Sequence, residues 1–241
     1  MSNNRLAFIL HNPQGSSGLI GELLGAQGYE ITYYCPLNGD TLPDQASFDA
    51  AVVFGGKMSA NDHNDLPELL QELLWIRETV ELGKPFLGIC LGAQLLAMTF
   101  GGKVTRHPQR ITEIGYYRIY PTIAGYSDIF TQIPERFFQW HNEGFTIPEC
   151  GVKLAESDLY PNQAFRIGNC AYGFQFHPEA TAAQIEHWHT RDSEELSHPG
   201  AQTVAAQARY FKELSPVISK WLNTFLQHWL HKAPSTQHRQ S

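Results

Sequence analysis

Apolar positions follow two alternating rhythms along this chain. Leu6 to Leu10 is an unbroken apolar run that predicts a buried strand, and Gln14-Gly15-Ser16-Ser17 supplies polar caps for a helix through Leu19, Leu23 and Leu24 that Gly28 closes. Tyr29 to Cys35 reads as a second strand. A polar loop holding Pro36, Gly39 and Pro43 then leads to a third, Phe48 to Phe54, which ends on Gly55-Gly56. Leu66, Leu69, Leu70, Leu73, Leu74, Ile76 and Val80 recur at helical spacing, with Asp65 as the expected N-cap, Pro67 in the first turn and Gly83 at the end. Pro85 to Ile89 is the next strand, and the helix after Cys90 runs to Gly101-Gly102. Strands that alternate with helices in this way predict a parallel, doubly wound α/β sheet, with ligands bound beyond the carboxyl ends of its strands.

From Lys103 to Phe176 the texture changes. Short β-like pieces (Gly115 to Tyr120, Arg136 to Trp140, Val152 to Glu156, Ala164 to Ile167, Tyr172 to Phe176) are separated by Pro, Gly and Asn, and they predict antiparallel strands covering one edge of the sheet. Helical spacing returns beyond Thr181, is broken at His198-Pro199-Gly200, and reads as two C-terminal helices within Val204 to Leu230. The expected organisation is one domain over residues 1–190, helices of 191–232 packed on it, and a disordered tail over 233–241.

Composition narrows the function. The chain has 241 residues, 42% of them hydrophobic, and its formal charge of −7 argues against general attraction to nucleic acid or an anionic membrane. A small-molecule substrate fits better. The N-terminal apolar run is too short for a signal-peptide core, and no stretch approaches the roughly 20 apolar residues of a membrane helix. The four cysteines, Cys35, Cys90, Cys150 and Cys170, contain no Cys-x-x-Cys pair. They suit neither a disulfide scaffold nor a zinc site, and a reducing cytoplasm is the expected setting.

The candidate chemistry lies at two places. In Gly88-Ile89-Cys90-Leu91-Gly92 a cysteine sits between a strand and a helix with a glycine two positions to either side. Such a turn lifts the thiol out of the sheet as a nucleophile elbow and places it at a helix N-terminus, beside free backbone N–H groups that suit an oxyanion. A small buried cysteine at a tight join would show the same spacing. In Gly173-Phe-Gln-Phe-His177-Pro178-Glu179 a strand delivers a histidine and, two residues on, a carboxylate on the same face. That carboxylate can fix the imidazole tautomer while the other ring nitrogen takes a thiol proton, although a strand-end histidine beside an exposed glutamate is the plainer alternative. His187 and His189 diverge in direction on a helix, so with His198 they read as exposed histidines and no metal site is expected.

Gly-x-Cys-x-Gly-x-Gln after a strand, a late His-Pro-Glu and the earlier Gly-Gly together resemble the class I, triad-type glutamine amidotransferases, and stand-alone proteins similar to the amidotransferase half of GMP synthase in particular. The resemblance covers roughly residues 5 to 190. It implies a flavodoxin-like, open, mostly parallel sheet with an added antiparallel region. It also implies an enzyme that cleaves a γ-glutamyl amide with no cofactor: Cys90 as nucleophile, His177 as base and acid, Glu179 orienting His177, and the N–H groups of Leu91 and Gly56 as oxyanion donors. Gly55, Gln94, His141 and Glu143 fall where the family binds substrate, Gln94 toward the amino-acid end. Two positions depart from the family pattern. Lys57 replaces a common proline, which implies either a looser turn or a cation presented to an anionic group on the substrate, while Asn142 replaces a glycine after His141 and would be accommodated at positive φ. In the family, ammonia passes to a synthetase, yet no phosphate-cradling Gly-rich loop is present here. The resemblance therefore implies a separate synthetase chain as ammonia acceptor, or a hydrolase in its own right. A γ-glutamyl peptidase would use the same chemistry, with Lys57, Tyr116, Tyr117 and Trp140 as candidates to line its leaving-group side, and a binding module with a vestigial triad is the alternative of another class.

Overall fold

The computed structural model describes residues 4–232, so the expected tail over 233–241 lies outside the described residues. The β-α-β opening forms as β1 (Arg5–Ile9), α1 (Gly18–Ala26), β2 (Glu30–Tyr34) and β3 (Ala50–Val53), followed by α2 (Pro67–Glu81), β4 (Phe86–Ile89) and α3 (Leu91–Thr99). Pro67 occupies the first helical position of α2 as expected, but its N-cap is Leu66. Asp65 instead closes a short 3₁₀ turn over Ala60–Asn64.

The second half contributes β5 (Val104–Arg106), β6 (Glu113–Arg118), β7 (Tyr120–Pro121), α4 (Ile123–Asp128), β8 (Arg136–His141), β9 (Glu143–Phe145), β10 (Gly151–Glu156), β11 (Ala164–Ile167) and β12 (Ala171–Phe174), then α5 (Ala182–Arg191) and α6 (Val204–His231). The main sheet has eight strands in the order β2-β1-β3-β4-β12-β11-β10-β7. Pairing is parallel from β2 through β12 and antiparallel from β12 to β7.

This arrangement corrects the sequence reading in two ways. The strand before His177 is no edge strand: β12 inserts beside β4 and runs parallel to it, with Phe174 opposite Ile89. The pieces around Gly115 and Arg136 leave the sheet and pair with each other as a ribbon of β6 and β8. Both errors share a cause, since short apolar segments show that a strand exists but not its partner.

Residues alternate across the sheet. Leu6, Phe8, Ala50 and Val52 face one core with α1 and α6, whereas Ala7, Ile9, Ala51 and Val53 face a second with α2 and α3. The expected pair of C-terminal helices is one helix, α6, which runs through Pro216 without a break. Beyond the proline, Ile218, Trp221, Leu222, Phe225, Leu226 and Trp229 are all buried, and Trp221 stacks between Phe130 and Phe225. Burying a stripe that long outweighs the roughly 3 kcal/mol an interior proline costs.

Candidate functional site

Three neighbouring strands, β3, β4 and β12, end at the same edge of the sheet, and each releases one part of the site there. Gly55-Gly56 follows β3, Cys90 follows β4, and His177 follows β12. The Cys90 N–H donates to the Phe174 carbonyl at 2.8 Å, so the chain starts its turn at the last rung of the ladder. Cys90 then takes φ 50° and ψ −103° as N-cap of α3, and among the described residues only it and Arg110 are non-glycines at positive φ. Strain of this kind, of order 1–3 kcal/mol, persists only where the surroundings enforce it.

The flanking glycines show what enforces it. A Cβ on Gly88 would lie 2.4 Å from the Gly92 carbonyl oxygen, and one on Gly92 would lie 2.1 Å from that of Val53. Helix α3 therefore starts in backbone contact with β3 and β4, and the turn at Cys90 has to be sharp.

Cys90 is 6% exposed. Its Sγ lies 3.9 Å from the Trp140 carbonyl and accepts from the Gln175 amide at 3.5 Å. His177 meets the Glu179 carboxylate through Nδ1 at 2.8 Å, its N–H donates to the Phe138 carbonyl at 2.8 Å, and Trp188 packs against its ring. Nδ1 is thereby engaged and Nε2 is left for the thiol. Burial of the imidazole disfavours its charged form, but the Glu179 carboxylate and the Cys90 side chain outweigh that and push the His177 pKa up to about 10. Glu179 is itself 2% exposed, so this carboxylate is no exposed surface group.

Gly55 sits against both groups: a Cβ there would approach His177 Cε1 to 3.1 Å and Cys90 Cβ to 3.5 Å. Leu91 opens α3, where the first backbone N–H groups have no partner within the helix. The Gly55-Gly56 turn lines the cavity together with Cys90 and His177.

The remaining expected residues form one wall. Gln94 is buried and its Nε2 donates to the Glu143 carbonyl and to Gln175 Oε1, both at 3.2 Å. His141 is held at both nitrogens, by the Glu143 carbonyl at 2.9 Å and Glu113 at 3.0 Å. Glu143 accepts from Ser59 at 2.7 Å, which ties the loop after Gly55-Gly56 to β9. Asn142 needs no positive φ, contrary to expectation. Lys57 is also no free cation, because it pairs with the buried carboxylate of Asp192. Trp140 and Lys57 do border the cavity, but Tyr116 is a core residue against Phe138 and Tyr117 bonds to the Gly200 carbonyl. His189 bonds to Gln207, and among the described residues no group of three or more His, Cys, Asp or Glu could hold a metal ion.

Two buried polar residues escaped the sequence reading. Gln175 bridges Gln94 and Cys90, and its signal was a polar residue immediately past the carboxyl end of an apolar strand, two positions before His177. His11, just past β1, contacts Gly55 and Glu72. Its signal was a polar residue at the carboxyl end of a strand next to β3. A cavity of about 750 Å³ opens above Cys90, His177 and Gly55, within the range of small-molecule sites.

A buried thiol at a helix start, a histidine tuned by a carboxylate and a facing pair of glycines make up a site suited to acyl transfer. The sequence model described as Glutamine amidotransferase class-I matches residues 22–193, and the chain belongs to that family. It is 32% identical over 200 residues to the glutamine amidotransferase-like protein YfeJ of Salmonella typhimurium, covering 80% of this chain and 83% of that one. It is 30% identical over 168 residues to a GMP synthase (glutamine-hydrolyzing) of Vibrio parahaemolyticus, a match that takes in 66% of this chain but only 30% of the larger protein. The crystal structure of a glutamine amido transferase from Methylobacillus flagellatus superimposes with a TM-score of 0.90 at 27% identity, covering 100% of this chain and 99% of that one.

Among the described residues no helix is long and apolar enough to cross a membrane.

Proposed function

We propose that the protein hydrolyses the side-chain amide of glutamine to glutamate and ammonia through Cys90, His177 and Glu179. The observation that carries this reading is the convergence of the three strand ends, which sets Cys90 in a strained turn beside an imidazole whose far nitrogen is already committed to Glu179.

In this mechanism the thiol proton has already passed to His177 Nε2, as the raised pKa of the ring favours, and the thiolate attacks the γ-carbonyl carbon. The carbonyl electron pair moves onto oxygen, which the Leu91 and Gly56 N–H groups stabilise, each donor being worth about 2.7 to 4 kcal/mol. The imidazolium then protonates the departing nitrogen, ammonia leaves, and a glutamyl thioester remains on Cys90. Water, deprotonated by His177, attacks the thioester. Its collapse releases glutamate and restores the thiolate beside the protonated His177. Gln175 steadies the sulfur by its amide N–H, and Gln94, His141 and Glu143 shape the end that receives the amino-acid group.

The likeness to GMP synthase supports a separate synthetase chain that receives the ammonia. A γ-glutamyl peptide is the second reading. It presents the same carbonyl, and a cavity of about 750 Å³, in the range that takes drug-sized ligands, leaves space beside a glutamyl group for a larger leaving group.

Ammonia release from glutamine, beside product analysis with glutathione and a glutathione conjugate, tests the proposal with Cys90→Ser as control. Cys90-dependent ammonia release supports it. Turnover of the peptides alone would replace it with the peptidase reading, and no turnover together with no labelling of Cys90 by a glutamine-like diazo-ketone would point to a vestigial site.

A further inference from the structure

Outside the proposed triad, two buried histidine–carboxylate pairs border the site among the described residues: His141 with Glu113, held against the Glu143 carbonyl, and His11 with Glu72, held against the glycine turn. His11 lies just past β1 and Glu72 on α2, with side chains 0% and 1% exposed. His11 Nε2 is 3.1 Å from one Glu72 carboxylate oxygen and 3.2 Å from the other, while Nδ1 is 3.3 Å from the Gly55 carbonyl. We propose that His11 and Glu72 are positioning residues that fix the Gly55–Gly56 peptide plane so that the Gly56 N–H faces the oxyanion. The inference rests on the reading of Gly56 as an oxyanion donor.

A carbonyl oxygen only accepts, so the Nδ1 that faces it carries a proton. No peptide bond in the described residues is cis, and in a trans peptide the C=O and N–H point in opposite directions. Holding the Gly55 oxygen on His11 therefore turns the Gly56 N–H the other way. Two successive glycines lack the Cβ atoms that would otherwise restrict this plane, so its orientation has to come from a partner. Space confirms how closely His11 stands: a Cβ on Gly56 would lie 2.9 Å from His11 Cβ and 2.8 Å from Leu91 Cδ2, between the pair and the start of α3.

Glu72 supplies the second half of the device. The Glu72 carboxylate accepts at Nε2 while the Gly55 carbonyl accepts at Nδ1, so both ring nitrogens donate and the ring is the imidazolium, the form that the Glu72 charge favours. Burial lowers the His11 pKa, but the charge and hydrogen bond of Glu72 outweigh it and leave it raised. Glu72 at Nε2, and the Gly55 carbonyl with the neighbouring Phe54 backbone at Nδ1, are the polar surroundings of the ring; the titratable groups that face the glycine turn from its other side are His177 and Cys90, both at Gly55. Buried ion pairs are often no more stabilising than apolar residues of similar volume, so stability alone gives little reason for this one.

The test compares two double variants of the full chain. His11→Leu/Glu72→Leu removes the pair without stranding a charge. His11→Asn/Glu72→Gln keeps an amide donor near the former Nδ1. Should the leucine pair not fold, His11→Ala/Glu72→Gln is read in its place. A missing oxyanion donor costs about 10²- to 10³-fold in kcat. The leucine pair is expected to lose a large part of that with KM changed by no more than about twofold, and the asparagine variant to regain most of it. The orientation is read separately, from the amide resonance of Gly56 in ¹⁵N-glycine-labelled protein: shifted and broadened in the leucine pair, restored in the asparagine variant. Equal losses in both variants, a change confined to KM, or an unmoved Gly56 resonance would overturn the inference. If the wild-type protein releases no ammonia from glutamine, the proposed function falls, and the Gly56 resonance alone decides the positioning role.

Discussion

Substituting Gly92 by alanine tests how tightly the site is set into the sheet. The added Cβ would stand 2.1 Å from the Val53 carbonyl oxygen, 2.8 Å from its carbon and 3.0 Å from Val53 Cγ1. Two of these three atoms are backbone in the middle of a buried sheet, so no flexible side chain can give way. Opening the closest approach to 3.0 Å demands a displacement of about 0.9 Å, and α3 is the element free to make it. Overpacking of this kind costs about 1–3 kcal/mol. The larger effect is on rate, because Leu91 and Cys90 move with the helix start and a misplacement of about 1 Å can cost on the order of 10²-fold.

The control is Gly25→Ala in the exposed part of α1. Nothing lies within 4 Å of a Cβ there, and replacing a helical glycine should stabilise by about 0.5–1 kcal/mol with activity unchanged. Urea unfolding gives the stability of both variants, and glutamine-dependent ammonia release gives kcat. If Gly92→Ala kept wild-type stability and rate, the close approach of α3 to β3 would be wrong, and with it the account of why Cys90 is forced into its turn.

Two further predictions concern the same turn and its histidine. Because Cys90 sits at φ 50°, Cys90→Gly should be more stable than Cys90→Ala by about 1 kcal/mol in urea unfolding, although both are inactive; equal stabilities would mean that the turn stores no strain. The His177 pKa is raised from 6.5 to about 10, so its interactions stabilise the fold fully below pH 6.5 and are lost as pH rises through about 10. Glu179→Gln removes the main cause of that rise, so the stability advantage of wild type over the variant should shrink between pH 6.5 and 10; an advantage constant with pH would contradict the pairing.

Much of this arrangement can be read from sequence where chemistry is local. The Gly-x-Cys-x-Gly spacing specifies its own turn; His177 and Glu179 do meet, but in the turn past the end of β12 and not on a strand as the i, i+2 reading expects. The alternation of strands and helices up to Gly102 was legible because β1, β3 and β4 are buried apolar runs with helical spacing between them, while β2, largely exposed, is marked only by its β-branched and aromatic residues. What failed depended on distant partners. That β12 pairs with β4 is set by Phe174 meeting Ile89, some 85 residues earlier by number, and no local pattern marks it. Lys57 looked free because Asp192, which neutralises it, lies far along the chain. Val204 to Leu230 read as two helices, but the packing of Trp221, Phe225 and Trp229 beyond Pro216 holds it as one. His11 and Gln175 show the same limit at the site, since a single buried polar residue gains meaning only when its contacts are known.

The central claim is that Cys90 carries a glutamyl thioester during turnover. Acid quenching of the protein during steady-state reaction with isotope-labelled glutamine, followed by peptide mapping by mass spectrometry, tests it most directly. The account predicts a labelled glutamyl adduct on the peptide containing Cys90, absent in Cys90→Ser. Ammonia release that continued in Cys90→Ser, or an adduct on another residue, would contradict it.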